Sequence, residues 1–205
     1  MPQPVPDKTA YHHGDLRRAL LDAAELVLAE RGIGGFTLRE CARRAGVSHA
    51  APAHHFGDVT GLLTALAALG FETLAASMRE ARAGIDDPRE RLRAIARGYV
   101  AFARRHPQRF RLTFSRSRLN GDDPVYQAAA GAAFAELEAA IRLLHGAPDA
   151  PLEGVLRAAL TQSWSVVHGF SHLLLEGHVA HMTDGEGGVD ALLEGVIASI
   201  GQPAP

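Results

Sequence analysis

The chain has 205 residues, with 21 Lys and Arg against 23 Asp and Glu, a formal net charge of −2 and one cysteine. That length suits one large or two small domains with a sizeable core. The charge excludes a uniformly basic nucleic-acid coat, although a DNA binder needs only its docking face to be positive. The lone Cys41 excludes an internal disulfide and a four-cysteine zinc site. Abundant Ala, Leu and Arg, with few β-branched or aromatic runs, predict an all-α fold of about nine helices.

Residues 1–10 carry three prolines and read as a disordered tail. They contain no apolar signal core, and no later window approaches eighteen uncharged apolar residues. The expectation is a soluble, cytoplasmic protein with no membrane partner. Asp15 precedes an amphipathic helix predicted over 16–31, with Leu20, Ala23, Ala24, Val27 and Leu28 on its buried face. Gly32, Gly34 and Gly35 break it.

The stretch TLRECARRAGVSHAAPAHHF (Thr37 to Phe56) reads as two short helices joined by a tight turn. Leu38, Cys41, Ala42 and Ala45 form one apolar face, which makes Cys41 a small core residue. Small Ala42 lets a second helix cross closely. Gly46 supplies the positive φ that ends the first helix, and Val47 returns to the core. Ser48 is expected to cap the second helix, predicted over 48–55. Pro52 is tolerable there only near the first turn. A plain helical hairpin fits this spacing as well as a helix-turn-helix does.

Asp58 is expected to cap a long helix running to about Ala83, with too many apolar residues for one narrow stripe. Such a helix is buried on several sides, as one linking two subdomains would be. Further helices are predicted over 89–105, 108–114, 125–145, 152–177 and 189–200. The fifth buries Leu92, Ile95, Ala96, Tyr99, Val100, Phe102 and Ala103. The seventh turns Ala132, Phe134, Leu137, Ile141 and Leu144 inward. Arg104, Arg105, Arg109, Arg111, Arg116 and Arg118 are read as a solvated basic face with their stems over apolar surface. The polar, Gly-rich stretch after Gly177 is expected to be mobile. The last two helices carry more apolar face than one small domain needs. They are expected to pair with their copies across a two-fold axis.

Trp164, His168 and Gly169 stand as W-x-x-x-H-G, with Trp164 and His168 one turn apart on one face. Such a pair offers an apolar wall with one donor and one donor or acceptor. That suits a small, mostly apolar ligand, and equally suits two core residues satisfied by each other. The pairs His168/His172 and His178/His181 have metal-compatible spacing but no further ligand beside them, so no metal or cofactor is expected. No G-x-S-x-G, phosphate-binding glycine loop or dinucleotide fingerprint occurs, and no catalytic residue is assigned.

Over about fifty residues the chain resembles TetR-family transcriptional regulators. YHHGDLRRALLDAAELVLAERG is similar to that family's first helix, Phe36-Thr37 to the opening of its second, and HFGDVTGLL to the start of its fourth. Trp164, His168 and Gly169 resemble the signature of a subset with a Trp-His-Gly C-terminal domain, as does DPRERLRAIARGYVAFARRHPQRFRLTFS. The resemblance implies a DNA-binding domain over 11–58 and a ligand-binding and dimerisation domain over 59–202. It implies a homodimer whose partners are a near-palindromic double-stranded operator and a small, mostly apolar effector. Thr37, Arg43, Arg44 and His55 would position the DNA backbone, with Ser48, His49 and Ala51 nearest the bases. His54 and His55 would compensate for two departures: Ala53 stands where the family usually has an aromatic residue, and Val59 where it commonly has lysine. Tyr11, His12, His13, Arg17 and Arg18 are further phosphate candidates. Trp164 and His168, with Phe71, Phe102, Phe110, Phe114 and Phe134, would enclose the ligand. The function implied is a ligand-responsive repressor. A helical ligand-binding dimer with weakened DNA binding is the alternative, and a helical hydrolase a distant third.

Overall fold

The computed structural model describes residues 13–183 and 188–201. The expected tail, Tyr11, His12 and the side chain of His13 lie outside the described residues. Nine α-helices occur among them: α1 (His13–Arg31), α2 (Leu38–Ala45), α3 (Ala51–Phe56), α4 (Val59–Ala81), α5 (Pro88–Arg105), α6 (Pro107–Thr113), α7 (Pro124–Leu144), α8 (Gly154–Leu175) and α9 (Gly188–Ala198). Short 3-10 turns occupy Ile33–Gly35, Arg116–Arg118 and Ala180–Met182.

Local chemistry explains most helix starts. Asp58, Asp87 and Asp123 each accept a backbone N–H of the following first turn, at 2.8 Å, 2.8 Å and 2.9 Å. In two of these the next residue is Pro88 or Pro124, whose missing N–H would be unpaired at a helix start in any case. Two starts differ from expectation. α1 begins at His13, so Asp15 lies inside the helix rather than before it. α3 begins at Ala51 with Ala50 in the capping position and no side-chain cap. Ser48 instead closes the preceding turn, its carbonyl accepting Ala51 N–H at 3.0 Å. The later start leaves Pro52 in the first turn, where it interrupts no hydrogen bond.

α4 is the axis of the fold and packs against α1, α3, α5, α6 and α7. By length and composition α4 could cross a membrane, since an 18-residue window has mean hydropathy 1.6. That differs from the sequence expectation, because a single interior Glu72 does little to offset the apolar run. More than half of the window is buried by its helical neighbours, as the core helix of a globular fold requires. α5 crosses α4 at Gly98, where Ser77 Oγ donates to the Gly98 carbonyl at 2.9 Å. A Cβ added at Gly98 would lie 2.6 Å from Ser77 O and 2.9 Å from Met78 Cα, so only glycine permits this approach.

α7 keeps the expected inward face at Leu137 and Ile141, and Ala132 alone of the five residues expected inward stands on the outer side. Tyr126, Ala129, Ala133, Leu137, Ala140 and Ile141 are buried, Ala132 is exposed and Phe134 is 37 % exposed. The buried residues recur at three and four, and Ala132 falls on the opposite side of that stripe. The arginine cluster is also not a solvated face throughout. Arg104 pairs with Asp190 at 2.6 Å and Arg111 with Glu176 at 2.9 Å. Arg109 of α6 pairs with Glu25 of α1 at 2.7 Å and donates to Thr73 Oγ1 of α4 at 2.9 Å, tying three helices together. After Gly177 the chain is partly anchored, since Val179 is buried beside the Ala180–Met182 turn.

Candidate functional site: the reading head and the internal cavity

The first site is built by α1, α2 and α3. Thr37 caps α2 by accepting Glu40 N–H at 3.3 Å. At the other end Gly46 adopts φ 67° and ψ 30°. Its N–H donates to Arg43 O and that of Val47 to Ala42 O, closing a Schellman turn that aims the chain back towards α3. Cys41 and Ala42 are fully buried between the helices, and burial pushes the Cys41 thiol up to about 11. That thiol is a packing residue rather than a nucleophile.

Glu40 organises the charges of this head. Its carboxylate accepts from Arg43, Arg44 and Arg31, and the Arg43 hydrogen bond above all holds it down to about 2. Arg44 bonds with both terminal nitrogens to Glu30 of α1 and also reaches Glu40. It therefore clamps α2 onto α1, with a side chain only 19 % exposed. Arg43 stays exposed while Glu40 orients it. Arg39 is exposed, and its side chain makes no hydrogen bond or ion pair with any described residue. It is an unengaged cation of the head, which spacing alone did not separate from Arg44. Thr37, Ser48, His49, Ala53, His54 and Val59 are exposed, and Ala51 and His55 half-buried. Arg17 lies over the Phe56 ring at 5.1 Å, joining α1 to α3.

The second site is a cavity of about 510 Å³ enclosed by α4, α5, α7 and α8 with the turn after α6. Phe71, Phe114, Phe134, Trp164 and His168 line it, as expected. Phe102 and Phe110 do not. Both are essentially inaccessible, packed on each other at 6.4 Å between ring centroids, with Phe110 behind Phe114 and His168. A buried helix has several inward faces, and these two rings point to the packed one.

Sequence reasoning placed Tyr99 in the core but missed its role. Its hydroxyl meets His168 Nδ1 at 2.7 Å. Tyr99 and His168 thus form a satisfied polar pair inside an apolar wall, with the Trp164 ring against His168 at 5.7 Å between centroids. Burial pushes the Tyr99 hydroxyl well above the usual tyrosine value. Burial, with His172 beside it, lowers His168 to about 4, so its imidazole is neutral at pH 7. Arg116, Tyr126, Ser163 and Met78 also line the cavity and were not anticipated. Gly169 lies on the open side of α8, where an added Cβ meets nothing within 4 Å. It makes room for nothing within its own chain.

A three-helix head joined through one continuous helix to a cavity-bearing helical domain fits the helix-turn-helix architecture that the sequence resemblance implies. Residues 20–66 match the family described as bacterial regulatory proteins, tetR family. Residues 92–196 match the tetracyclin repressor-like C-terminal domain. The chain belongs to the TetR family of transcriptional regulators.

The HTH-type transcriptional regulator BetI of Paraburkholderia xenovorans is 41 % identical over 83 residues, 40 % of this chain and 43 % of that protein. The match thus spans less than half the length of these curated relatives. Among solved structures, a protein of unknown function from Rhodococcus sp. RHA1 has TM-score 0.74 and 33 % identity, covering 95 % of this chain and 100 % of its own. The TetR regulator PfmR of Thermus thermophilus shares the fold at TM-score 0.63 and 19 % identity, over 92 % and 96 % of the two chains. LfrR of Mycobacterium smegmatis, solved with proflavine, shares it at 0.59 and 21 %, over 94 % and 98 %.

Proposed function

We propose that a homodimer of this chain binds a near-palindromic double-stranded DNA operator in the cytoplasm as a repressor, and that a small, mostly apolar effector in the cavity releases it. One observation carries the reading. α4 is capped at Asp58, directly after the recognition helix, and lines the cavity with Phe71, Leu74 and Met78. At 1.5 Å per residue, Phe71 lies roughly 20 Å along α4 from that cap. A ligand that favours one tilt of α4 favours one separation of the two heads, and only such differential binding transmits a signal.

α3 would enter the major groove, with Ser48, His49 and Ala51 towards the bases. Arg43, Thr37, His54 and His55 would meet phosphates, joined by Arg39, while Arg44 holds the head together from behind. The dimer would form through α8 and α9. α8 leaves Val155, Ala158, Gln162, Ser165 and Leu173 exposed and Gly169 half-buried along one side. Small side chains there let a second helix approach closely. LfrR, of the same fold, holds proflavine, which supports a small-molecule role for this domain.

The test is binding of the purified dimer to fragments of its own gene neighbourhood at two salt concentrations. Tight, selective binding that weakens steeply with salt is expected, with a log–log slope of about −0.9 per phosphate contacted. Weak, unselective binding would sink the reading. It would favour a ligand-binding dimer with reduced DNA affinity, a second reading that rests on Ala53 and Val59. Both are exposed, Ala53 on the docking helix and Val59 at the start of α4, without the polar reach of Tyr or Lys. A large gain in affinity for Ala53→Tyr with Val59→Lys would support that second reading. Little change supports the first.

A further inference from the structure

The cavity walls carry an unequal distribution of charge. Every described residue that lines it is apolar, aromatic or neutral-polar, save His168 and Arg116, and none is acidic. The interior polar groups already have partners. Tyr99 is bonded to His168 at 2.7 Å, Thr113 Oγ1 donates to Arg109 O at 2.8 Å, and Tyr126 OH donates to Thr113 O at 3.5 Å. Of the lining hydroxyls only Ser163 makes no hydrogen bond with a described residue, and it is uncharged. His168 is neutral at pH 7.

Arg116 is therefore the only charge facing the cavity among the described residues. It sits on the 3-10 turn between α6 and α7, exposed, at the cavity's opening. Its neighbours in sequence Arg104, Arg109 and Arg111 are each held by an acid, whereas the Arg116 side chain makes no hydrogen bond or ion pair with any described residue. An unopposed guanidinium at the mouth of an apolar chamber matches a planar carboxylate on an apolar body. The aromatic walls by themselves would also suit a cation. The lack of any lining carboxylate and the facing guanidinium work against one.

We propose that the cavity takes an amphipathic monoanion, its apolar body among Phe71, Phe114, Phe134 and Trp164 and its carboxylate on Arg116. This rests on reading the cavity as the effector site. The volume falls in the range of about 300–1,000 Å³ typical of small-molecule sites.

Trp164 is the chain's one tryptophan and lines the cavity, so its fluorescence reports occupancy directly. The probes are decanoate, decanol and decyltrimethylammonium, which share a tail and differ in head charge. Each is titrated into the full-length wild type, Arg116→Gln and Arg116→Lys. The expected result is decanoate binding about tenfold tighter than decanol, with the cation weakest. Arg116→Gln should lose the tenfold preference while keeping decanol affinity, and Arg116→Lys, which keeps the charge but not the planar fork, should retain part of it. Decanol binding as tightly as decanoate, or a carboxylate preference that survives in Arg116→Gln, overturns the proposal and leaves the effector-site reading standing. No response of Trp164 to any probe overturns both. The Arg116 side chain is exposed and bonded to no described residue, so neither substitution threatens the fold.

Discussion

Replacing Gly98 by alanine tests the packing that shapes the cavity. The new Cβ would sit 2.6 Å from Ser77 O, and ordinary contact begins near 3.4 Å, so α4 and α5 must part by about 0.8 Å. The obstacle is backbone, which cannot rotate away. Parting the helices loosens Met78, Leu92 and Ile95, which line the cavity beside the crossing. A gap of about 0.5–1 Å forfeits a quarter to a half of each dispersion contact. Overpacking of this kind costs about 1–3 kcal/mol, and alanine's better helix propensity returns about 1 kcal/mol. The net loss is about 2 kcal/mol at the upper end, a fall in Tm of about 4–8 °C for a chain of this size. Gly131→Ala is the matched control. It too lies in a helix that lines the cavity, but its Cβ would meet nothing within 4 Å. It should gain about 0.5–1 kcal/mol. The assay is thermal unfolding followed by circular dichroism at one fixed protein concentration, since the Tm of the proposed dimer would depend on concentration. Gly98→Ala melting at or above wild type, or Gly131→Ala losing as much as Gly98→Ala, would refute the packing argument.

Tyr99→Phe leaves His168 Nδ1 without its hydroxyl partner, and should cost about 1–3 kcal/mol in urea unfolding; an unchanged midpoint would show that the Tyr99–His168 bond is not a structural element. The lowered His168 pKa means that the unfolded chain takes up a proton at that imidazole before the folded chain does. Stability should therefore fall as pH drops from about 6.5 towards about 4 and level off below. Because the ring is only half-buried, solvent screening reduces the loss to about 1–2 kcal/mol. The measurement is the difference between wild type and His168→Gln across that window, and parallel curves would contradict it. Glu40→Gln releases Arg43 and Arg31 and removes a negative charge from the docking face. Operator affinity should rise and the salt slope steepen by about one phosphate, read by fluorescence anisotropy at several salt concentrations; an identical slope would mean that Glu40 does not restrain a DNA contact.

Legibility in the sequence followed how local the determining physics is. Asp58 and the Asp-Pro pairs at 87–88 and 123–124 announce their helices, because the cap bonds reach only two or three residues ahead. Gly46 announces its turn for the same reason. Ser48 misled because a serine two positions too early caps nothing, and only the closed turn before α3 reveals the offset. Periodicity identified Phe102 as buried and the resemblance added Phe110 to the cavity, yet neither can tell a face that meets a packed neighbour from one that meets a void. Tyr99 acquires a partner 69 residues away, and Arg116 lies in a connection with no periodic signal at all. Arg44 shows the same limit with charge: its acid Glu30 is fourteen positions back, across the α1–α2 crossing.

The Arg109 tie has a mechanical consequence. Its guanidinium grips α1 through Glu25 and α4 through Thr73 while its own helix carries Phe110 against the cavity wall. The head is thus braced at a second point, away from its connection through Asp58, and a body braced at two points does not swivel. In the proposed dimer, strain set up around the chamber would move α1 and α3 as a single block, without twisting α3 relative to its own scaffold. Each protomer would then act as a caliper arm: a tilt of α4 would be carried whole to the head and read out as the gap between two tips.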